Sequence, residues 1–155
     1  ISPMKRSQRR EYYRLECLFD VRFRLVSEYE KILRARMLKH DFAEEEAYND
    51  ASDELAAMRS QWEEGLASDI SGGGMCLHGR VSYDPDDELE LELLLPMDNK
   101  IVHTEVMLRV VRCADKEENR FRYEIRGEFI DLDNSKRELI VRYVFQEQRK
   151  RLGKL

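Results

Sequence analysis

Five segments between residues 21 and 130 repeat their apolar side chains at every second position, and turn residues separate them. Val21-Arg22-Phe23-Arg24-Leu25 alternates apolar residues with arginines. Leu89-Glu90-Leu91-Glu92-Leu93 alternates leucine with glutamate and is closed by Pro96. Met75-Cys76-Leu77-His78 is short, Ile101 to Cys113 is long and rich in valine, and Phe121 to Ile130 interleaves aromatic and aliphatic residues with charged ones. A period of two belongs to strands that bury one face. Asp84-Pro85-Asp86-Asp87, Met97-Asp98-Asn99 and Asp115-Lys116-Glu117-Glu118-Asn119 read as the loops between them. Short strands at roughly ten-residue spacing predict a small closed antiparallel barrel.

One stretch departs from this pattern. From about Ser27 to Leu66 there is no proline, no glycine precedes Gly65, and Ala, Glu, Leu, Met and Arg dominate, which predicts helix. Tyr48, Ala51, Leu55, Met58 and Trp62 form a heptad seam, while Val26, Tyr29, Leu33 and Met37 form a separate stripe. The two fall out of register near His40-Asp41-Phe42, so two helices, or one with a discontinuity, are expected. After Gly65, Ser68 to Gly74 reads as a turn cluster. A final helix is expected from Ser135, which with Glu138 forms a capping box. Leu139, Ile140, Tyr143 and Val144 supply its apolar face, which would plug or flank the barrel.

The 155 residues suit one domain. The net charge of -5 argues against a dedicated nucleic-acid binder. That charge is unevenly spread: the helical stretch holds eleven acidic and five basic residues, which leaves 21 acids against 22 bases elsewhere. No apolar run approaches the ~20 residues of a membrane span, and the polar, basic N-terminus is unlike a signal peptide. Cys17, Cys76 and Cys113 form no CxxC pair and read as reduced cytoplasmic thiols. The chain begins at Ile1, which suggests either a piece of a longer chain or a start at Met4.

Motifs for catalysis are missing from the sequence. No HExxH or His/Cys cluster marks a metal, and Asp69 stands where a GxSxG elbow needs its first glycine. The glycine run has neither P-loop nor dinucleotide spacing. Asp131-Leu132-Asp133-Asn134-Ser135 opens like a calcium loop, but Lys136 replaces its turn glycine. A non-enzyme with no cofactor and no metal is therefore expected.

Two segments carry information. Gln8-Arg9-Arg10-Glu11-Tyr12-Tyr13-Arg14 packs three arginines ahead of the first strand. Alone it reads first as a solvated basic tail and second as a phosphate contact. Asp69-Ile70-Ser71-Gly72-Gly73-Gly74 alone reads first as a turn whose glycines take positive φ, and second as a loop that exposes backbone beside a ligand.

Together, RxxxR (Arg10, Arg14) preceded by Arg9, and DxSxxG (Asp69, Ser71, Gly74), resemble the PilZ domain, a bacterial receptor for cyclic di-GMP. Residues 75–130, the ending Gly127-Glu128-Phe129-Ile130-Asp131-Leu132 and the helix with Phe145-Gln146-Glu147-Gln148-Arg149 are similar to the family's C-terminal half. The wording Gln8 to Arg14 is close to flagellar-brake proteins, in which another domain precedes the barrel. The chain departs in length, with about forty helical residues between the two motifs.

The resemblance implies a mainly β fold with helices: a small six-stranded antiparallel PilZ-type barrel, a helical insert after the first strand and a C-terminal helix. The corresponding division is 1–26 and 66–155 for the barrel and 27–65 for the insert. It implies Arg9, Arg10, Arg14, Asp69, Ser71 and Gly74 as the cyclic di-GMP ligand set, with Gly72 and Gly73 in the same loop. Arg9 ahead of RxxxR implies an intercalated ligand dimer. These residue types suit the ligand. Guanidinium matches the paired acceptors of guanine, pairs with phosphodiesters and stacks on purines. A carboxylate can accept from the guanine N–H edge or orient an arginine. The expected mechanism is a switch in which ligand clamps a mobile basic N-terminal segment onto the barrel, acting on motility, biofilm or exopolysaccharide through a protein partner. The alternative is an interaction adaptor on the same fold with weak or no nucleotide binding. The insert seam either closes on itself or packs on the barrel, or it joins copies of the chain into a homo-oligomer or docks a partner protein, with Trp62 as a candidate anchor.

Overall fold

The computed structural model describes residues 12–117 and 120–153. Strands β1 (Leu15–Leu25), β2 (Glu63–Ile70), β3 (Gly74–Gly79), β4 (Glu88–Met97), β5 (Lys100–Asp115) and β6 (Tyr123–Ile130) pair antiparallel in the order β1-β2-β3-β6-β5-β4. β4 pairs back onto β1, Val21 against Leu93 and Leu25 against Leu89, so the sheet is a closed barrel. Closure removes the unpaired edges that an open sheet of this size would expose.

Alternation becomes burial most clearly on β4. Leu89, Leu91, Leu93, Leu95 and Met97 all face the core, where Phe23, Leu77, Leu108 and Ile125 meet them. Pro96 lies within this strand, opposite Ile101. The β4–β5 hairpin turns on Asp98 and Asn99, both at positive φ, as a two-residue hairpin turn of the primed type requires.

β2 corrects the sequence reading, which took its residues for a helix end and a turn cluster. Its inward positions include Gly65 and Ala67, too small to register as an apolar alternation. At Gly65 the Phe23 ring fills the space a side chain would need. A Cβ on Gly65 would lie 2.2 Å from the carbonyl oxygen of His78 and 2.9 Å from the Phe23 ring.

Between β1 and β2 the chain forms α1 (Glu28–Lys39) and α2 (Glu45–Arg59). Ser27 caps α1, its Oγ accepting from the Glu30 amide at 3.1 Å, and His40 ends it in the left-handed conformation. Leu33, Ala51 and Leu55 form a separate small core with Met37, Phe42 and Met58, so the seam closes inside this hairpin. Trp62 does not continue it. α2 stops at Arg59, and the indole instead lies under the guanidinium groups of Arg22 and Arg24, 5.2 and 5.5 Å from its centroid.

A buried ion network fixes the hairpin to the barrel. Arg24 donates to both Glu30 oxygens at 2.7 and 2.8 Å and to Glu90 at 2.7 Å. Arg34 donates to Glu90 at 2.8 Å and pairs with Glu30 at 2.6 Å.

α3 (Asn134–Gly153) packs Ile140, Tyr143 and Val144 into the barrel core, with Tyr143 edge-on to Phe19 at 5.6 Å. Its start corrects the expected capping box. Asp133, not Ser135, supplies the cap, its Oδ1 accepting from the Lys136 amide at 2.9 Å and the Ser135 hydroxyl at 2.7 Å. No helix among the described residues is long and apolar enough to cross a membrane.

Candidate functional site

Leu15, the first residue of β1, pairs with Ile70, the last of β2. That register sets Arg14, just before one strand, beside Ser71, just after the other. Arg14 and the DxSxxG residues therefore meet although the helices separate them in the chain. They line a cleft of about 280 Å³ with Tyr12, Arg14, Asp69, Ser71, Gly73 and Gly74 on one side and Arg126 and Glu128 of β6 on the other.

Asp69 is on strand β2 rather than in a turn. It sits opposite Cys76 on β3, which in turn sits opposite Arg126 on β6, so the register carries Arg126 to Asp69 across one intervening strand. Arg126 Nη1 donates to Asp69 Oδ2 at 3.2 Å. Sequence reasoning missed Arg126. The alternation of β6 marked it as outward-facing, but only the strand register reveals its partner.

The loop from Ser71 to Gly74 is tied by its own backbone. The Ser71 amide donates to the Gly74 carbonyl at 2.9 Å, and Ser71 Oγ accepts from the Gly73 amide at 3.2 Å. The Gly73 carbonyl accepts from the Phe129 amide at 2.9 Å. None of the described glycines has positive φ, which corrects the expected use of these residues. Close approach requires them instead. A Cβ on Gly74 would lie 2.3 Å from the Gly127 carbonyl oxygen, and one on Gly72 would lie 2.7 Å from the Tyr12 ring and 3.0 Å from Val141.

Tyr12 anchors the chain entering the cleft. Its ring lies against Gly72 and Gly73, and its hydroxyl accepts from Arg137 Nη1 of α3 at 2.8 Å. Arg14 is exposed at the rim. Arg9 and Arg10, and the predicted mobile basic segment, lie outside the described residues. Glu128 on the far wall is paired with Arg109 across β5 and β6. An exposed arginine, an arginine held by a carboxylate and a glycine loop pressed against backbone suit an anionic ligand that carries hydrogen-bonding ring edges.

This architecture places the chain among small closed antiparallel β-barrel domains. A family model described as PilZ domain matches residues 48–146, more than half of the sequence, and the chain belongs to the PilZ domain family. No curated protein matches. Among solved structures the chain is similar to the inhibitor of motility MotI/DgrA of Bacillus subtilis, at 17% identity and a TM-score of 0.61, over 92% of this chain and 52% of that one. It thus spans about half the length of that relative. A tetrameric PilZ domain of Xanthomonas campestris, self-assembled through a helical bundle, matches at 15% identity and a TM-score of 0.56, over 92% of each chain. The PilZ domain of Escherichia coli YcgR, solved with c-di-GMP, matches at 11% identity and a TM-score of 0.56, over 96% of this chain and 100% of that one. At these identities the likeness is one of fold.

Proposed function

We propose that the chain is a bacterial cyclic di-GMP receptor acting in the cytoplasm as a switch, not as an enzyme. Arg9, Arg10 and Arg14 supply the guanidinium contacts, and Asp69, Ser71, Gly72, Gly73 and Gly74 supply the facing loop. The observation that carries this reading is the convergence of Arg14 with Asp69, Ser71, Gly73 and Gly74 on one cleft. The ligand-bound YcgR domain of the same fold supports it. In this reading residues 1–26 and 66–155 are the receptor unit and 27–65 an inserted helical unit, whose last three residues, Glu63 to Gly65, already run on strand β2.

Arg126 extends the set. Asp69 holds its guanidinium beside the cleft, ready for a guanine edge or a phosphate. Ligand engaging Arg9, Arg10 and Arg14 would draw the N-terminal segment onto the barrel and change the surface offered to a protein partner in motility or biofilm control. A ligand bound as an intercalated dimer fits three neighbouring arginines. Self-association through the helical unit is a further part of the proposal, supported by the exposed Ile32 and Leu38 on α1.

Calorimetric titration with cyclic di-GMP, GTP and a short oligonucleotide tests the function. Binding of cyclic di-GMP alone is expected, with at least a tenfold loss in Arg14→Ala and Arg10→Ala. Absence of heat with cyclic di-GMP would leave the adaptor reading in its place, and a steep salt dependence with the oligonucleotide would point to nucleic acid.

A further inference from the structure

On β3 the inward residues Met75 and Leu77 belong to the barrel core, so Cys76 and His78, two residues apart, share the outer face. Pairing with β6 sets Glu124 opposite His78. One ligating atom from each of Cys76, His78 and Glu124 lies within 4.8 Å of the other two. Cys76 is buried and the other two are half-buried. None of the three lines the nucleotide cleft.

We propose that Cys76, His78 and Glu124 form a binding site for a divalent transition metal of the zinc class, with a fourth position left for water or an outside ligand. A thiolate, an imidazole and a carboxylate are the donor types that zinc takes, and three protein ligands with one open position is a recurrent zinc arrangement. Tetrahedral zinc with bonds of about 2.0–2.3 Å holds its ligands roughly 3.3–3.8 Å apart. Rotamer changes of about an ångström therefore close the site without moving the strands. His78 and Glu124 face each other across a paired ladder, so the backbone already fixes two of the three donors.

Burial pushes the Cys76 thiol up, and a hydrogen bond from the Ser68 side chain and the nearby Arg126 offset this only in part, so the thiol is protonated in the metal-free protein. Metal binding would release that proton to solvent, and the thiolate and carboxylate would then balance the charge of a dication, with no change of oxidation state. Arg126 lies 3.5 Å from Glu124 through Nε, a long pair that is easily given up, and keeps its contact with Asp69 through Nη1. The sequence offered no metal spacing because Glu124 arrives only through the β3–β6 register.

The test is titration of the full chain, free of affinity tags and nucleotide, with cobalt(II) chloride, followed by visible absorption. One equivalent should bind with tetrahedral bands and a sulfur-to-cobalt charge-transfer band, and zinc chloride should abolish both. Cys76→Ser should remove the charge-transfer band, and His78→Ala and Glu124→Gln should each weaken binding at least tenfold. Cys17→Ser and Cys113→Ser should leave the band intact. Melting curves without metal check folding; if Cys76→Ser unfolds, the two half-buried positions decide. A missing band in the parent chain, a band retained in folded Cys76→Ser, or affinity unchanged in both His78→Ala and Glu124→Gln overturns the site. Because no nucleotide is present, the result is independent of the receptor reading.

Discussion

A methyl group on Gly74 has nowhere to go, because its nearest neighbour is a backbone carbonyl oxygen at 2.3 Å. At Gly73 the nearest atom is on the Tyr12 ring at 3.3 Å, a side chain that can shift. The two neighbouring glycines should therefore respond differently. Gly74→Ala should cost about 2 kcal/mol, or about 6 °C in melting temperature, while Gly73→Ala should stay within about 2 °C of the parent. Equal losses at both positions would contradict this account of the loop. Asp69 makes a second prediction at this scale. Its contact with Arg126 is part-buried and charge-assisted, so Asp69→Asn should weaken cyclic di-GMP binding at least tenfold while leaving the melting temperature nearly unchanged. Unaltered affinity in calorimetry would remove Asp69 from the proposed ligand set.

The Arg24–Glu30–Glu90–Arg34 network decides whether α1 stays on the barrel. Glu30→Ala removes one of the carboxylates of a buried guanidinium and should cost about 3 kcal/mol, whereas pairing Arg24→Met with Glu30→Leu should recover most of it. Urea unfolding of the parent, Arg24→Met, Glu30→Leu and the double variant would measure the coupling. Hydrogen bonds from Arg24 hold the Glu30 carboxyl below its ordinary value. For Glu90 burial pushes upward, but hydrogen bonds from Arg34 and Arg24 outweigh it and the net shift is also down. Depressed folded-state values give stability that is fully present above the ordinary carboxylate value of about 4.3 and is lost as pH falls through the folded values. Urea midpoints from pH 7 to pH 3 should therefore drop less steeply in Glu30→Gln than in the parent. Parallel curves would mean that this network does not govern acid stability.

Elements were legible in the sequence where alternation and burial coincide. β4 could be read because every second residue is a large aliphatic that fills the core. β2 could not, because Gly65, which leaves room for Phe23, and Ala67 carry too weak an apolar signal of their own. Trp62 looked like the next step of a helical seam because spacing alone does not show that Ser60 has already ended the helix. In the cleft, the motif residues Arg14, Asp69, Ser71 and Gly74 were visible as a pattern, while Arg126 needed a register that no single segment contains.

At the scale of the whole molecule, the helical hairpin spends its seam internally, and what remains outside is the surface of α1 around Ile32 and Leu38. If that surface joins copies of the chain, replacing residues 28–60 by a short linker should lower the number of chains per particle in sedimentation velocity. An unchanged count would end the proposal of assembly through this unit. The same geometry sets the hairpin and the cleft at opposite ends of the β1–β2 pair, since Phe23 faces Glu63 at one end and Leu15 faces Ile70 at the other. Eleven residues of β1 keep them roughly 30 Å apart. Lengthening a chain at a tip of this kind costs closure entropy that grows only logarithmically. The exposed step from Ala43 to Glu44, beyond the packed Phe42, is accordingly a graft point, where a fluorescent protein or an affinity handle can be spliced into the middle of the sequence while the barrel and its cleft fold around an unaltered frame.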